Sequence, residues 1–262
     1  MLNELSSLKG FGLQGNDGTL GTVADFLFDD STWKVRWLVA DDGGWLTGRK
    51  FLIHPSAVVS VEPAIKGFTV ALTKEQVKGS PEILEDRPVS QQMQNDLYDY
   101  YGWSPLWSGG MFGGGVYGGM SGIAMPVAAP GLFGNGNARE AVHRDRRDAA
   151  TLEEGDPHLR SFAEVTGYHV QATDGDIGHV QDLLVDEASW TIGYFLVDTS
   201  NWWFGQHVLV SPSSVKEVDW SERHVRLEIT RERVKSSPSW RPGQDLDDDL
   251  QRRLHTHYNS NV

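Results

Sequence analysis

The sequence predicts a mainly β protein made of two copies of one small domain, and three observations carry that reading. Residues 10–81 recur as 167–238, shifted by 157 positions without a gap, and 24 of the 72 aligned pairs are identical. Most other pairs exchange one apolar residue for another, as in Phe26/Leu183 and Ile53/Val210. Within each copy, short runs rich in Val, Phe, Trp, Ile and Thr are separated by Gly, Asp and Pro turns, the signature of an all-β sandwich or barrel. A gapless repeat of this length means that one structural unit is used twice.

The elements follow in order. In the first copy Gly21-Thr-Val-Ala-Asp25-Phe-Leu-Phe-Asp29 reads as a strand, and Asp30-Ser31-Thr32 turns it into a second that begins at Trp33. Gly43-Gly44 makes the next turn, leading into Arg49-Lys-Phe-Leu-Ile-His54. Val58–Val61 and Phe68–Leu72 complete the set. With so many strands in about 75 residues, curling into a barrel removes the exposed edges. Each copy closes on a short helical turn with Thr73 or Thr230 as N-cap and Ser-Pro beyond it. The expected organisation is a first barrel over 1–83, a connecting segment over 84–160, a second barrel over 161–240 and an acidic C-terminal tail over 241–262.

The connecting segment differs in character. Ser90 can cap a short amphipathic helix on which Met93, Leu97, Tyr100 and Tyr101 fall at helical spacing. Residues 102–136 then hold 12 glycines, and ordering so much glycine is costly in backbone entropy, so a flexible loop is expected there. In the tail, Leu246, Leu250 and Leu254 form a narrow apolar stripe.

Composition excludes several function classes. The formal charge of −13 argues against binding nucleic acid or anionic lipid, which needs clustered Lys and Arg. The copies share the charge unequally: 8–83 is net −1 and 165–240 net −5, so their surfaces are not interchangeable. Without cysteine there is no disulfide framework, thiolate nucleophile or cysteine metal site. No apolar run approaches the ~18 residues that span a bilayer, and no signal peptide is visible, so a cytoplasmic protein is expected.

An ordered set of motifs occurs in both copies. In the first it is Gly21-x-x-x-Asp25, an apolar strand ending in Asp41, Trp45-Leu-Thr-Gly48, and Phe51-Leu-Ile-His-Pro55. In the second it is Gly178-x-x-x-Asp182, a strand ending in Asp198, Trp202-Trp203-Phe204-Gly205, and Val208-Leu-Val-Ser-Pro212. Trp33 and Trp190 occupy the same place in the two hairpins. This set resembles the PRC-barrel family, which includes the cytoplasmic domain of the photosynthetic reaction-centre H subunit, the ribosome maturation factor RimM and small stand-alone prokaryotic proteins, some stress-related. The resemblance implies two small PRC-type β-barrels that dock on partners, with no catalytic site.

Candidate sites are few. Gly113-Gly-Gly-Val-Tyr-Gly118 matches G-x-G-x-x-G but lacks the strand, helix and distal acid of a dinucleotide site, so it reads as glycine-rich filler. Asp17-Gly18 and Asp174-Gly-Asp176 are turn residues rather than calcium loops, which require a further Gly and a bidentate Glu. Asp25 and Asp182 share strand parity with the Val before and the Leu after, which puts them on one face as buried hydrogen-bonded or interface groups. Nine histidines are scattered, and only His255-x-His257 is close-spaced, in a polar tail.

Aromatics give the interface candidates: Trp45 and Trp202, Trp203 and Phe204 in matching hairpins, and Tyr98, Tyr100, Tyr101, Trp103 and Trp107 in the connecting segment. The expectation is a non-enzymatic scaffold acting by protein–protein binding and homo-oligomerisation, with no catalytic, cofactor or metal residues. The alternatives are a RimM-type maturation factor and an accessory subunit of an electron-transfer complex.

Overall fold

The computed structural model describes residues 2–46, 48–81, 89, 91–103, 156–199, 207–241, 244 and 246–259. The chain divides into two compact units, one formed by 1–85 with 157–262 and the other by 86–156. The first copy contains β1 (Leu2–Glu4), α1 (Leu5–Leu8), β2 (Gly12–Gly15), β3 (Gly18–Asp29), β4 (Lys34–Asp41), β5 (Lys50–Ile53), β6 (Val58–Glu62), β7 (Gly67–Val70) and α2 (Lys74–Gly79). α3 (Gln91–Tyr101) belongs to the smaller unit. The second copy follows with β8 (Leu159–Ser161), α4 (Phe162–Val165), β9 (His169–Ala172), β10 (Gly175–Asp186), β11 (Thr191–Asp198), β12 (His207–Val210), β13 (Val215–Asp219), β14 (His224–Leu227) and α5 (Arg231–Lys235), then α6 (Asp248–Asn259).

The molecule is mainly β, and both copies order their strands alike. The first runs β5-β4-β3-β2-β7-β6 and the second β12-β11-β10-β9-β14-β13, with only β2–β7 and β9–β14 parallel among these pairs. In each copy a 3-10 turn, Pro55–Ala57 or Pro212–Ser214, joins the two outer strands of this order. His54 and Ser211 cap these turns by accepting the backbone N–H of Ser56 and Ser213, which accounts for the repeated Pro-Ser pairs.

The copies are not self-contained. β1 pairs with β10 of the other copy, and β8 pairs with β3, in the same register at the 157-residue offset: Asn3↔Val185 is matched by Phe28↔Arg160. β3 and β10 are each 12 residues long, yet β2 and β9 cover only their first halves. The second halves would leave a row of bare backbone N–H and C=O groups, and the strand lent by the other copy satisfies them. The helical turn after each lent strand buries its apolar pair, Leu5 and Leu8 or Phe162 and Val165. The segment 2–8, assigned from sequence to the first barrel, therefore packs on the second. Pairing of the lent strand already begins at Leu159, inside the segment 84–160 that was expected to be a linker.

The C-terminal segment also departs from expectation. Instead of an acidic tail, α6 lays Leu250, Leu254 and Tyr258 on Leu184, Tyr194, Leu196, Leu209 and Trp240 of the second copy. Burying a large apolar side chain is worth about 1.5–3 kcal/mol, and the Leu stripe extended by Tyr258 supplies three. The Tyr258 hydroxyl donates to the Leu209 carbonyl at 2.5 Å. Burial pushes that phenol up to about 12, so it stays a donor at any working pH. His257, placed by the sequence in a polar tail, donates from Nε2 to the Arg233 carbonyl at 2.8 Å.

In the smaller unit α3 buries Leu97 and Tyr98, and the Gln94 side chain donates to Asp156 at 3.0 Å.

Candidate functional site

The repeated residues converge on the junction between the copies. Sequence parity placed Asp25 with Val23 on one face, but the strand is bulged between Val23 and Asp25 and again between Val180 and Asp182. The extra residue reverses the alternation, so Val23 faces the core and Asp25 turns towards the other copy. A bulge leaves no mark in a hydrophobic pattern, which is why parity misled.

Both aspartates cap the exchanged helical turns. Asp182 accepts the backbone N–H of Ser6 at 3.2 Å, the Ser6 hydroxyl and its neighbour Leu183 N–H. Asp25 accepts the backbone N–H of Ala163 at 3.1 Å and the Ser161 hydroxyl. α1 has no cap from its own residues, so the other copy provides one. Burial raises the Asp182 carboxyl above its ordinary range, partly opposed by hydrogen bonds from Ser6 and Leu183.

Trp33 and Trp190 both take the left-handed backbone conformation, φ 55°, which is strained for a bulky residue. That conformation aims each carbonyl across the junction: Ile192 N–H donates to Trp33 at 2.7 Å and Val35 N–H to Trp190 at 2.8 Å. Trp33 sits between an aromatic of its own copy and one of the other, and Trp190 sits between two aromatics of the other copy. Trp33 lies 5.9 Å from Phe28 and edge-on at 5.1 Å to Phe195, whereas Trp190 lies 6.4 Å from Phe26 and 6.3 Å from Phe68.

A further clamp is asymmetric. Asp30 accepts from His158 at 2.9 Å, Arg160 at 3.1 Å and the Trp220 indole at 3.1 Å, while the Arg160 guanidinium sits 4.2 Å over the Trp220 ring. At the matching position, among the described residues, Asn3 donates to Glu187 at 3.1 Å.

The other repeated residues shape turns. A Cβ on Gly21 would lie 1.9 Å from the Asp41 carbonyl oxygen, and one on Gly178 would lie 1.8 Å from that of Asp198. Gly48 has φ +76°. Asp17 and Asp174 accept the first backbone N–H of α2 and α5, so these carboxylates cap helices.

Of the aromatic candidates, Trp45 is 36% exposed, its indole N–H donates to Leu20 of its own copy at 2.7 Å, and the Lys74 ammonium lies 5.4 Å above its ring. Tyr98 is buried, Tyr100 is 45% exposed, and Tyr101 stacks on Trp103 at 4.1 Å. Trp107, Trp202, Trp203, Phe204 and Gly205 lie outside the described residues, as does the glycine-rich stretch beyond Trp103.

The structure also assembles a group that the sequence scattered. His224, His169 and His179 stand side by side on β14, β9 and β10. Only strand register brings residues so far apart in the chain onto one row.

A model of the PRC-barrel domain matches residues 2–76 and 158–234, more than half of the chain. The chain belongs to the PRC-barrel family. Each match takes in one lent strand with its helical turn, together with the long strand that the other copy's lent strand covers. A Deinococcus radiodurans protein described as uncharacterized is 32% identical over 80 residues, which is 30% of this chain and 28% of that protein. The chain therefore spans less than a third of that relative's length. Membership of the family supports a general role in binding or scaffolding, and no helix among the described residues is long and apolar enough to cross a membrane.

Proposed function

We propose that this tandem PRC-barrel protein is a non-enzymatic scaffold of the cytoplasm, working by docking on protein partners and by self-association. The observation that carries this reading is the use to which the repeated carboxylates are put. Asp25 and Asp182, the mid-strand carboxylates that both copies carry, cap the exchanged turns. A general base must reach a substrate proton, whereas these groups hold two copies together.

What differs between the copies is the surface. The first is net −1 and the second net −5, and one outer row of strand positions reads Gly67, Gly12, Thr22, Asp41 and Lys50 in the first against His224, His169, His179, Asp198 and His207 in the second. Two like frames with unlike faces suit a scaffold that presents different surfaces to different partners. The net charge of −13 disfavours nucleic acid among them. A stress-related role is the family class closest to this design.

Self-association draws on surfaces other than the junction, because the two-fold contact is made within the chain. On sequence, the aromatic residues of 98–107 and Trp202, Trp203 and Phe204 are the candidates for it. Affinity capture from native lysate with mass spectrometry, run beside light scattering of the wild type and a Trp202→Ser, Trp203→Ser double variant, tests both parts. Specific protein partners and a wild-type oligomer support the reading. A strict monomer at high micromolar concentration refutes self-association, and nucleic acid as the sole captured species refutes the protein-docking role.

A further inference from the structure

We propose that His169, His179 and His224 form a surface site for a divalent transition-metal ion of the zinc class, present on the second copy alone. The three imidazoles come from adjacent strands. His169 pairs with His179 across the antiparallel β9–β10 ladder and with His224 across the parallel β9–β14 ladder. Directly opposite residues on neighbouring strands point to the same face, and here it is the outer one, since Val170, Val180 and Val225 beside them are buried.

The ring centroids lie 4.5 Å apart for His169 and His179, and 5.2 Å apart for His169 and His224. Among the described residues no three His, Asp or Glu side chains stand in ligating positions as they lie. Instead the His169 ring stacks on His224, with 24° between the planes, and is tilted by 48° to His179. Their spacing is that of the strands, about 4.7–4.9 Å. His169 is exposed and His179 and His224 are half-buried, so rotation about the side-chain torsions is enough to converge their nitrogens on one ion at about 2.0–2.1 Å.

His224 is already oriented for this. Its Nδ1 lies 2.7 Å from the Glu222 carbonyl, which can only accept, so Nδ1 is the donor and, in the neutral ring, Nε2 is the nitrogen with the lone pair. A ligating histidine characteristically donates its other N–H to a carbonyl in this way. The row continues through Asp198 to His207 on β11 and β12, placing a carboxylate beside His179. Neutral imidazoles with a nearby carboxylate suit zinc and its neighbours better than hard cations, which prefer all-oxygen ligands. The first copy has Gly67, Gly12 and Thr22 in the three histidine places, so it offers no equivalent.

The test is isothermal titration of the full-length chain with Zn²⁺ at neutral pH, paired with thermal unfolding in Zn²⁺ or in chelator. One ion per chain in the micromolar range is expected, with a higher Tm in Zn²⁺. His169→Ala, at the centre of the row, should weaken binding by at least about tenfold and abolish the Tm rise. A His255→Ala, His257→Ala double variant should bind as the wild type does. His169 is exposed, so far-UV circular dichroism of its variant should be unchanged; a His224→Ala variant with the same loss covers the case in which it is not. Failure of the wild type to bind below about 100 µM (−5.5 kcal/mol or weaker on the affinity scale), or wild-type binding in the His169→Ala and His224→Ala variants, overturns the proposal.

Discussion

Replacing Asp182 by Ala removes the group through which the second copy holds the first copy's α1. The carboxylate is 3% exposed and accepts from Ser6 N–H, Ser6 Oγ and Leu183 N–H. Losing an N-cap costs about 1 kcal/mol, and a hydrogen bond to a charged group is worth about 1.5–3 kcal/mol. These figures overlap, because one side chain makes all the contacts. Burial also disfavours the ionised form, and removing the group returns part of that cost. The balance is a loss of about 2 kcal/mol for Asp182→Ala, and about 1 kcal/mol for Asp182→Asn, which keeps one acceptor. Urea unfolding should show the midpoint falling with the slope unchanged. Hydrogen exchange should speed up at Ser6, Ser7 and Leu8, which lie far from position 182 in sequence but next to it in space. Asp25→Ala should do the same to 161–165. A loss below about 0.5 kcal/mol, the scale of an ordinary surface change, with exchange at 6–8 unaltered, would falsify the exchanged-segment account.

Three further outcomes follow from the same structure. Burial pulls the His54 imidazole down to about 4 from its ordinary 6.5, so the unfolded chain binds the proton first. Stability should be full above pH 6.5 and fall as pH drops towards 4, by up to about 3 kcal/mol; a His54→Ser variant, carrying the second copy's residue, should start less stable but show a flatter acid limb in pH-dependent denaturation. Gly178→Ala forces a Cβ onto the Asp198 carbonyl at 1.8 Å with φ +147°, so it should cost more than about 3 kcal/mol or prevent folding, and a soluble variant of unchanged Tm would contradict the geometry. Cutting the chain once at an engineered protease site within 104–150 should leave both halves together in gel filtration, because β1 and β8 are each paired in the other half; halves that separate at micromolar concentration would contradict the reciprocal pairing.

The sequence by itself determined the repeat, the mainly β class, the turns and most of the strands. Each of these is local: Gly21 and Gly178 mark a backbone that admits no Cβ, Thr73 and Thr230 cap the turn beside them, and alternating Val, Leu and Phe record which face is buried. The Leu246, Leu250 and Leu254 stripe was equally legible, although what it covers was not. Three things were decided only in the tertiary structure. The strand bulges moved Asp25 and Asp182 off the face that parity assigned them. Strand exchange gave residues 2–8 to one copy and 159–165 to the other, because the bare halves of β3 and β10 need partners and each copy's own β2 or β9 is too short to supply them. Register then gathered His169, His179 and His224 into one row. Hydrogen bonds between strands depend on which backbones meet, and a linear pattern of side chains records which face is buried but not which strand lies alongside.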